Sequence, residues 1–312
     1  RLFEETRIRH LTEDRAGVEV ANGTGAVTAS ASIIATLLPF VNRGGFFART
    51  RPSRSYGVAA RLKSAPPAGM YISADSPVRS FRPWPEGGET GIIFVGEGHR
   101  TGDESATPGR WGELERWARE HFDVQSFEYR WSAQDYLTVD GIPFVGRSPL
   151  TRHTYVATGF RKWGLTNGTA AARILSDLIL GQENSYADVF SPSRLGGAVA
   201  VGRAIRDNLK VSWYLVGDFV DRFSAPPLAD LGPGEGGLVE VNDKIVAAYR
   251  HPSGEVTTLS PTCTHLFCTV HWNDAEDTWD CPCHGSRFRT DGSVINGPAT
   301  EPLRRVEIQP DN

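Results

Sequence analysis

The feature that most restricts what this chain can fold into is a pair of short segments near its C-terminal end, both rich in cysteine and histidine. The first reads Cys263-Thr264-His265-Leu266-Phe267-Cys268, the second Cys281-Pro282-Cys283-His284-Gly285-Ser286. Fifteen residues separate His265 from Cys281, and the chain has no cysteine outside these two segments. A disulfide-framed secreted domain spreads its cysteines along its length. Cysteines concentrated in this way, with histidines between them, read as a metal site. A Cys-x-His turn facing a Cys-x-x-His turn offers two thiolates and two imidazoles. That set suits tetrahedral zinc. It also suits a [2Fe–2S] cluster in which thiolates hold one iron and imidazoles the other.

Residues 225–312 resemble the Rieske iron–sulfur family in these ligands. They also resemble it in Gly297-Pro298-Ala299, which looks like the family's third loop covering the cluster. Zinc would leave Cys268, Cys283 and that loop without a role. The resemblance implies that Cys263 and Cys281 bind the buried iron, and that His265 and His284 bind the outer iron near solvent. It also implies that Cys268 and Cys283 form the disulfide that joins the two loops in high-potential members. The sequence departs from the family at two places. Phe267 replaces the usual glycine, so the first loop is expected to bend differently or to carry a side chain over its tip. Phe288 stands where high-potential members have a tyrosine bonded to a ligand sulfur, while Ser286 is retained. Hydrogen bonds to sulfur favour the reduced cluster. The expected potential therefore lies within the Rieske span of roughly −150 to +300 mV, below its upper end.

The chain has 312 residues, enough for two ordinary domains. Asn22-Gly23-Thr24-Gly25, flanked by Val18-Glu19-Val20 and Ala26-Val27-Thr28-Ala29, predicts a hairpin. Residues 32–38 read as a buried strand, and residues 68–74 and 91–95 as further strands. Trp111, Leu114, Trp117 and Ala118 form one face of a helix over residues 111–122. Phe127, Tyr129 and Trp131 alternate as in a half-buried strand. Residues 154–158 predict a strand and residues 166–180 a helix, with Gly181 at its C-terminal cap. Beyond the Pro- and Gly-rich boundary at residues 224–237, only short strands are expected. The resulting division is 1–200, a connector at 201–224, and 225–312.

A second resemblance rests on Trp131-Ser132-Ala133-Gln134-Asp135-Tyr136, on Asp140-Gly141-Ile142-Pro143-Phe144-Val145-Gly146, and on the run from Ala157 to Thr166. Ile34-Ala35-Thr36 and Met70-Tyr71-Ile72-Ser73 extend it upstream. These segments are similar to the FAD-dependent oxidoreductases of the D-amino-acid oxidase and glycine oxidase type, in particular a bacterial branch with a fused Rieske domain. The implied fold is α+β, a partial FAD and substrate domain followed by a small all-β Rieske domain. The resemblance implies that Gly159, Phe160, Trp163, Gly164, Leu165 and Thr166 lie against the flavin. Glycines permit close approach to a flat ring, and a helix N-terminus favours negative charge at the flavin's pyrimidine edge. No G-x-G-x-x-G follows a first strand; Gly23-Thr24-Gly25 belongs to the hairpin. Together with a start at Arg1 and a single methionine at Met70, this leaves three expectations: an upstream nucleotide-binding segment was lost, a separate chain supplies it, or the residues present no longer bind FAD.

Tyr56, Tyr71 and Arg82 are candidates for the substrate face, an arginine being suited to a carboxylate. His99, His121 and His153 have no metal-like spacing. The expected function is oxidation of an amino acid or amine by FAD, with electrons leaving through the cluster to an unknown partner. The alternative is an electron carrier that no longer binds FAD. A Rieske oxygenase would need a second iron site for which the remaining histidines are too scattered. The net charge of −4 gives no reason to expect nucleic acid. No apolar run is long enough to span a bilayer. The charged opening residues 1–10 are unlike an export signal, so a cytoplasmic protein is expected.

Overall fold

The computed structural model describes every residue except 42, 85–90, 103–108, 195, 198–199, 210, 212–224 and 308–312. Most of the expected connector, and the opening of the expected boundary at Ser224, lie outside the described residues; residues 200–209 are helical. The chain forms two compact units. One comprises Arg1–Pro52, Asp135–Trp272 and Asp277–Asn312. The other comprises Ser53–Gln134 with Asn273–Glu276.

The smaller unit is built on a five-stranded sheet in the order β6-β7-β8-β5-β9. Its strands are β5 (Thr50–Leu62), β6 (Tyr71–Ile72), β7 (Ser80–Trp84), β8 (Gly91–Arg100) and β9 (Val124–Thr138), the first and last of which run on into the larger unit. Helix α2 (Arg110–His121) covers one face. Leu114 and Ala118 are buried among Tyr56, Val58, Ile92 and Phe94, with Trp111 and Trp117 at the margin. This is the apolar face expected from the i, i+3, i+7 spacing. The strand expected at residues 68–74 shrinks to the exposed pair Tyr71–Ile72 at the sheet edge, where little packing rewards a longer ladder.

In the larger unit, β1 (His10–Glu13), β2 (Val18–Ala21) and β3 (Ala26–Ala29) form the meander that contains the expected hairpin. Asn22 caps its turn through the Thr24 and Gly25 N–H groups. The buried strand expected over 32–38 is only β4 (Ser32–Ile34), and Ile33 is 50% exposed. Leu37 adopts φ +63°, which ends extended pairing. β4 pairs in parallel with β11 (Thr154–Thr158), which pairs with β10 (Phe144–Arg147). Helix α3 (Gly164–Ile179) buries Ala171, Ile174 and Leu175 against this sheet. It starts two residues earlier than expected, and Gly181 at φ +71° follows its end. Two one-turn helices, α1 (Phe46–Arg49) and α4 (Ala187–Phe190), complete this part.

From Gly236 on, the elements among the described residues are all β-strands. β12 (Gly236–Val241), β13 (Lys244–Arg250) and β14 (Val256–Leu259) form one sheet. β15 (His271–Asn273), β16 (Thr278–Asp280), β17 (Arg287–Phe288) and β18 (Val294–Asn296) form another. The glycines at 232–237 feed strand β12 rather than a helix. A shared core of Trp279, Phe288, Leu259, Val270 and Leu303 encloses all four cysteines.

Candidate metal centre

Two turns of the same construction carry the ligand candidates. After β14, the Cys263 N–H donates to the Cys268 carbonyl (2.8 Å) and the Phe267 N–H to the Cys263 carbonyl (3.1 Å). Between β16 and β17, the Cys281 N–H donates to the Ser286 carbonyl (2.8 Å) and the Gly285 N–H to the Cys281 carbonyl (3.0 Å). Phe267 and Gly285 therefore occupy equivalent positions, and both adopt positive φ, +61° and +76°. The turn requires a left-handed residue, which glycine supplies without strain. Phe267 does not change the bend, as had been one expectation; it keeps the conformation, with its side chain 75% exposed at the loop tip.

The turns bring Cys263 and Cys281 together in the core, where both are buried and hydrogen-bonded to each other. Cys263 Sγ also accepts the His265 and Leu266 N–H groups and the Ser286 hydroxyl. Cys281 Sγ accepts the His284 and Cys283 N–H groups. The Cys281 contact draws the Cys263 thiol down to about 7, while the same contact and burial push Cys281 up. Two sulfurs, each surrounded by backbone donors, form a site prepared for thiolate charge. Cys268 and Cys283 are joined by a disulfide, and the sulfurs of Cys268, Cys281 and Cys283 lie within 4.8 Å of one another. The His265 and His284 rings lie 5.2 Å apart, edge to face. Burial lowers the His265 pKa to about 4, which favours the neutral imidazole a metal requires. Buried paired sulfurs on one side and paired imidazoles on the other match the asymmetric donor set of a Rieske-type [2Fe–2S] cluster.

Three supports were not singled out from sequence. Arg287 and Asp280 form a buried ion pair (2.8 Å) at the stem of the second loop, and Thr278 joins both partners. Tyr136 of β9 is buried, and its hydroxyl donates to the carbonyls of His284 (3.0 Å) and Gly297 (3.1 Å). It thereby ties the second ligand loop to the Gly297-Pro298-Ala299 loop, whose Ala299 N–H donates to Ser286 Oγ (3.0 Å). Phe47 of α1 sits edge-on to both imidazoles, 5.7 Å from His265 and 5.1 Å from His284. Of the two imidazoles expected near solvent, His265 keeps partial exposure beside Leu266 and Phe267, and His284 does not. His284 is 5% exposed and His265 half-buried, because residues from the N-terminal part pack over them. Tyr136 lay within a quoted motif, but only the fold showed what its hydroxyl reaches.

The turn from Gly159 to Thr166 leads into α3. A Cβ at Gly159 would lie 2.3 Å from Thr138 Cγ2, so this glycine is required by packing. Phe160 packs beside α3, and its carbonyl accepts the Trp163 N–H (3.0 Å) and the Asn167 side chain (2.9 Å). Trp163, Leu165 and Thr166 are exposed, Leu165 at 91%. A Cβ at Gly164 would meet nothing within 4 Å. No side chain caps α3, and no acidic residue lies in its first turn. An open helix N-terminus beside exposed apolar side chains fits the anionic edge of a flat ring.

The substrate candidates do not converge. Tyr56 is buried in the core, stacked on His99 (5.6 Å). Tyr71 stacks on Phe81 (4.7 Å) at the sheet edge, and Arg82 is exposed on β7. His121 stacks on Trp117 and contacts its carbonyl (2.8 Å), as a capping residue would.

Comparison with known proteins agrees with both halves of this picture. Residues 1–178 match the family model of FAD dependent oxidoreductases, and residues 222–307 match the Rieske [2Fe-2S] domain. The chain is 37% identical over 310 residues to the Rieske 2Fe-2S iron-sulfur protein YhfW of Bacillus subtilis, covering 99% of this chain and 61% of that protein. It is 38% identical over 90 residues to the cytochrome b6-f complex iron-sulfur subunit of Chlorobaculum tepidum, covering 29% of this chain and 49% of the subunit. The fold is similar to glycine oxidase from Geobacillus kaustophilus, with a TM-score of 0.51 and 21% identity over 62% of this chain and 54% of that one. The chain thus spans about half to three fifths of the length of these relatives. Among the described residues, no helix is long and apolar enough to cross a membrane.

Proposed function

Because this chain belongs to the FAD dependent oxidoreductase family and continues into a Rieske [2Fe-2S] domain, we propose that it oxidises an amino acid or amine with FAD and passes the electrons through the cluster. Bound FAD supplies two-electron chemistry at the substrate, and the cluster supplies a one-electron relay. Cys263 and Cys281 hold the inner iron; His265 and His284 hold the outer one. Ser286 and the flanking N–H groups stabilise negative charge on the sulfurs. Gly159, Phe160, Trp163, Gly164, Leu165 and Thr166 would hold the flavin ring when FAD is bound, and the open N-terminus of α3 would favour negative charge on it. No residue is assigned to the ADP half of FAD, since no strand here leads through G-x-G-x-x-G into a helix. The observation that carries the reading is that Tyr136, on a strand of the flavoprotein-like part, bonds the loops of the cluster site within one compact unit.

The test is anaerobic purification of the protein, followed by iron, sulfide and flavin analysis. A panel of amino acids and amines is then added while the cluster's visible absorption is followed. Flavin released on denaturation, together with cluster bleaching by a member of the panel, supports the proposal. Iron and sulfide with no flavin, even after incubation with FAD, would leave an electron carrier. Zinc in place of iron would overturn both.

A further inference from the structure

Phe47 is placed by its neighbours. Gly44 and Gly45 both take positive φ (+91° and +58°), so the chain reverses just before α1. A Cβ on Gly44 would come within 2.9 Å of the Phe46 ring. Phe46 turns into the core beside Phe144 (5.6 Å). Successive helical side chains diverge by about 100°, so Phe47 turns elsewhere, onto the two imidazoles. The three ring centroids form a triangle with sides of 5.1, 5.2 and 5.7 Å, each pair edge to face. The favourable edge-to-face geometry holds both imidazoles in one orientation. It also covers part of both rings: His284 is 5% exposed, and His265 keeps partial exposure beside Leu266 and Phe267.

We propose that Phe47 closes the imidazole edge of the cluster to outside redox partners and makes it an internal junction, so that electrons reach the outer iron from within the same compact unit. The identity of the internal donor rests on the flavin reading above; the closure does not. Thr50, three residues beyond Phe47, donates its hydroxyl to the Phe46 carbonyl (2.9 Å). A Cβ placed on Gly159 would lie 4.0 Å from Thr50 Cγ2. Thr50, which opens β5 directly after α1, therefore lies beside the turn assigned to the flavin, three residues from the ring that touches both imidazoles.

The experiment uses the cluster-loaded full chain, reduced with one equivalent of dithionite and mixed with excess ferricyanide in a stopped-flow instrument. Each ferricyanide takes one electron from a reduced cluster, so recovery of the oxidised cluster's absorption gives the bimolecular rate. Phe47→Ala should raise that rate at least about tenfold, a barrier change of about 1.4 kcal/mol. Phe47→Leu retains apolar bulk and should stay close to wild type. Iron content and the g-values of the reduced cluster should be retained in both. Equal rates in wild type and Phe47→Ala, with iron content retained, overturn the proposal. Should Phe47→Ala fail to hold its cluster, the wild type decides. A soluble gadolinium chelate should leave the relaxation of the reduced cluster's EPR signal nearly unchanged, and strong enhancement overturns the closure. A protein without flavin that shows a slow wild-type rate, released in Phe47→Ala, refutes the flavin reading and leaves this one standing.

Discussion

Replacing Tyr136 by phenylalanine isolates a single contribution to the cluster site. The ring stays, so the packing of Tyr136 with Ile34, Phe46, Phe144 and Val156 is retained and no cavity forms. What is lost is one hydroxyl proton shared between the carbonyls of His284 (3.0 Å) and Gly297 (3.1 Å). A neutral hydrogen bond contributes about 1 kcal/mol net, and a buried acceptor stripped of its donor costs about 1–3 kcal/mol. A cavity of about 640 Å³, lined in part by Tyr136 and Gly297, gives water a route to one of the carbonyls. That relief places the expected cost at the lower end, about 1–2 kcal/mol. The cost falls on loop opening, so it should appear as a fall in amide protection of roughly 5–30-fold. The reporters are the Ala299 N–H, bonded to Ser286 Oγ (3.0 Å), and the Gly285 N–H, bonded to the Cys281 carbonyl (3.0 Å). Hydrogen exchange read by mass spectrometry or NMR on the oxidised protein measures both. Amides of the β12–β13 ladder should be unchanged. Tyr136→Ala, which also opens a cavity, should cost about 3–5 kcal/mol. Unchanged protection at Ala299 and Gly285, or an equal loss throughout β12–β14, would refute the reasoning.

Three further outcomes are expected. Ser286→Ala removes the hydroxyl bonded to Cys263 Sγ and should lower the cluster midpoint, since about 1.4 kcal/mol of lost preference for the reduced form equals about 59 mV for one electron; a titration showing an unchanged or higher midpoint would count against sulfur-directed donation. Phe267→Gly should be neutral or stabilising by up to about 1 kcal/mol in chemical denaturation, because a left-handed non-glycine residue carries strain, whereas Phe267→Val should destabilise. Burial alone would raise the Asp140 pKa, but Arg194 and the Ile142 N–H hold it below the usual carboxylate value. A depressed folded pKa gives stability that is present above the unfolded value and lost as pH falls through the folded one. Asp140→Asn should therefore cost about 3 kcal/mol at neutral pH and less below about pH 4, as read by intrinsic fluorescence during denaturation.

Local chemistry was legible without a fold. The two Cys/His segments announce their donor set because metal-ligand spacing is a short-range property of a turn, and the hairpin at Asn22–Gly25, helix α2 and strand β11 announce themselves through periodicity and turn residues. The early start of α3 and the shortening of β4 to three residues were not legible, because packing and a left-handed Leu37 decided them. The sequence by itself determined which residue types could bind metal, that the C-terminal third would be short strands around two turns, and that the preceding part resembles a flavoprotein. Only the tertiary structure decided that Phe267 and Gly285 share one left-handed role, that Tyr136 ties two loops of the cluster site, and that Phe47 covers the imidazoles. Hydrogen bonds and ring contacts between residues more than a hundred positions apart leave no periodic trace in the chain. They exist only once folding has brought β9 and α1 against the ligand loops.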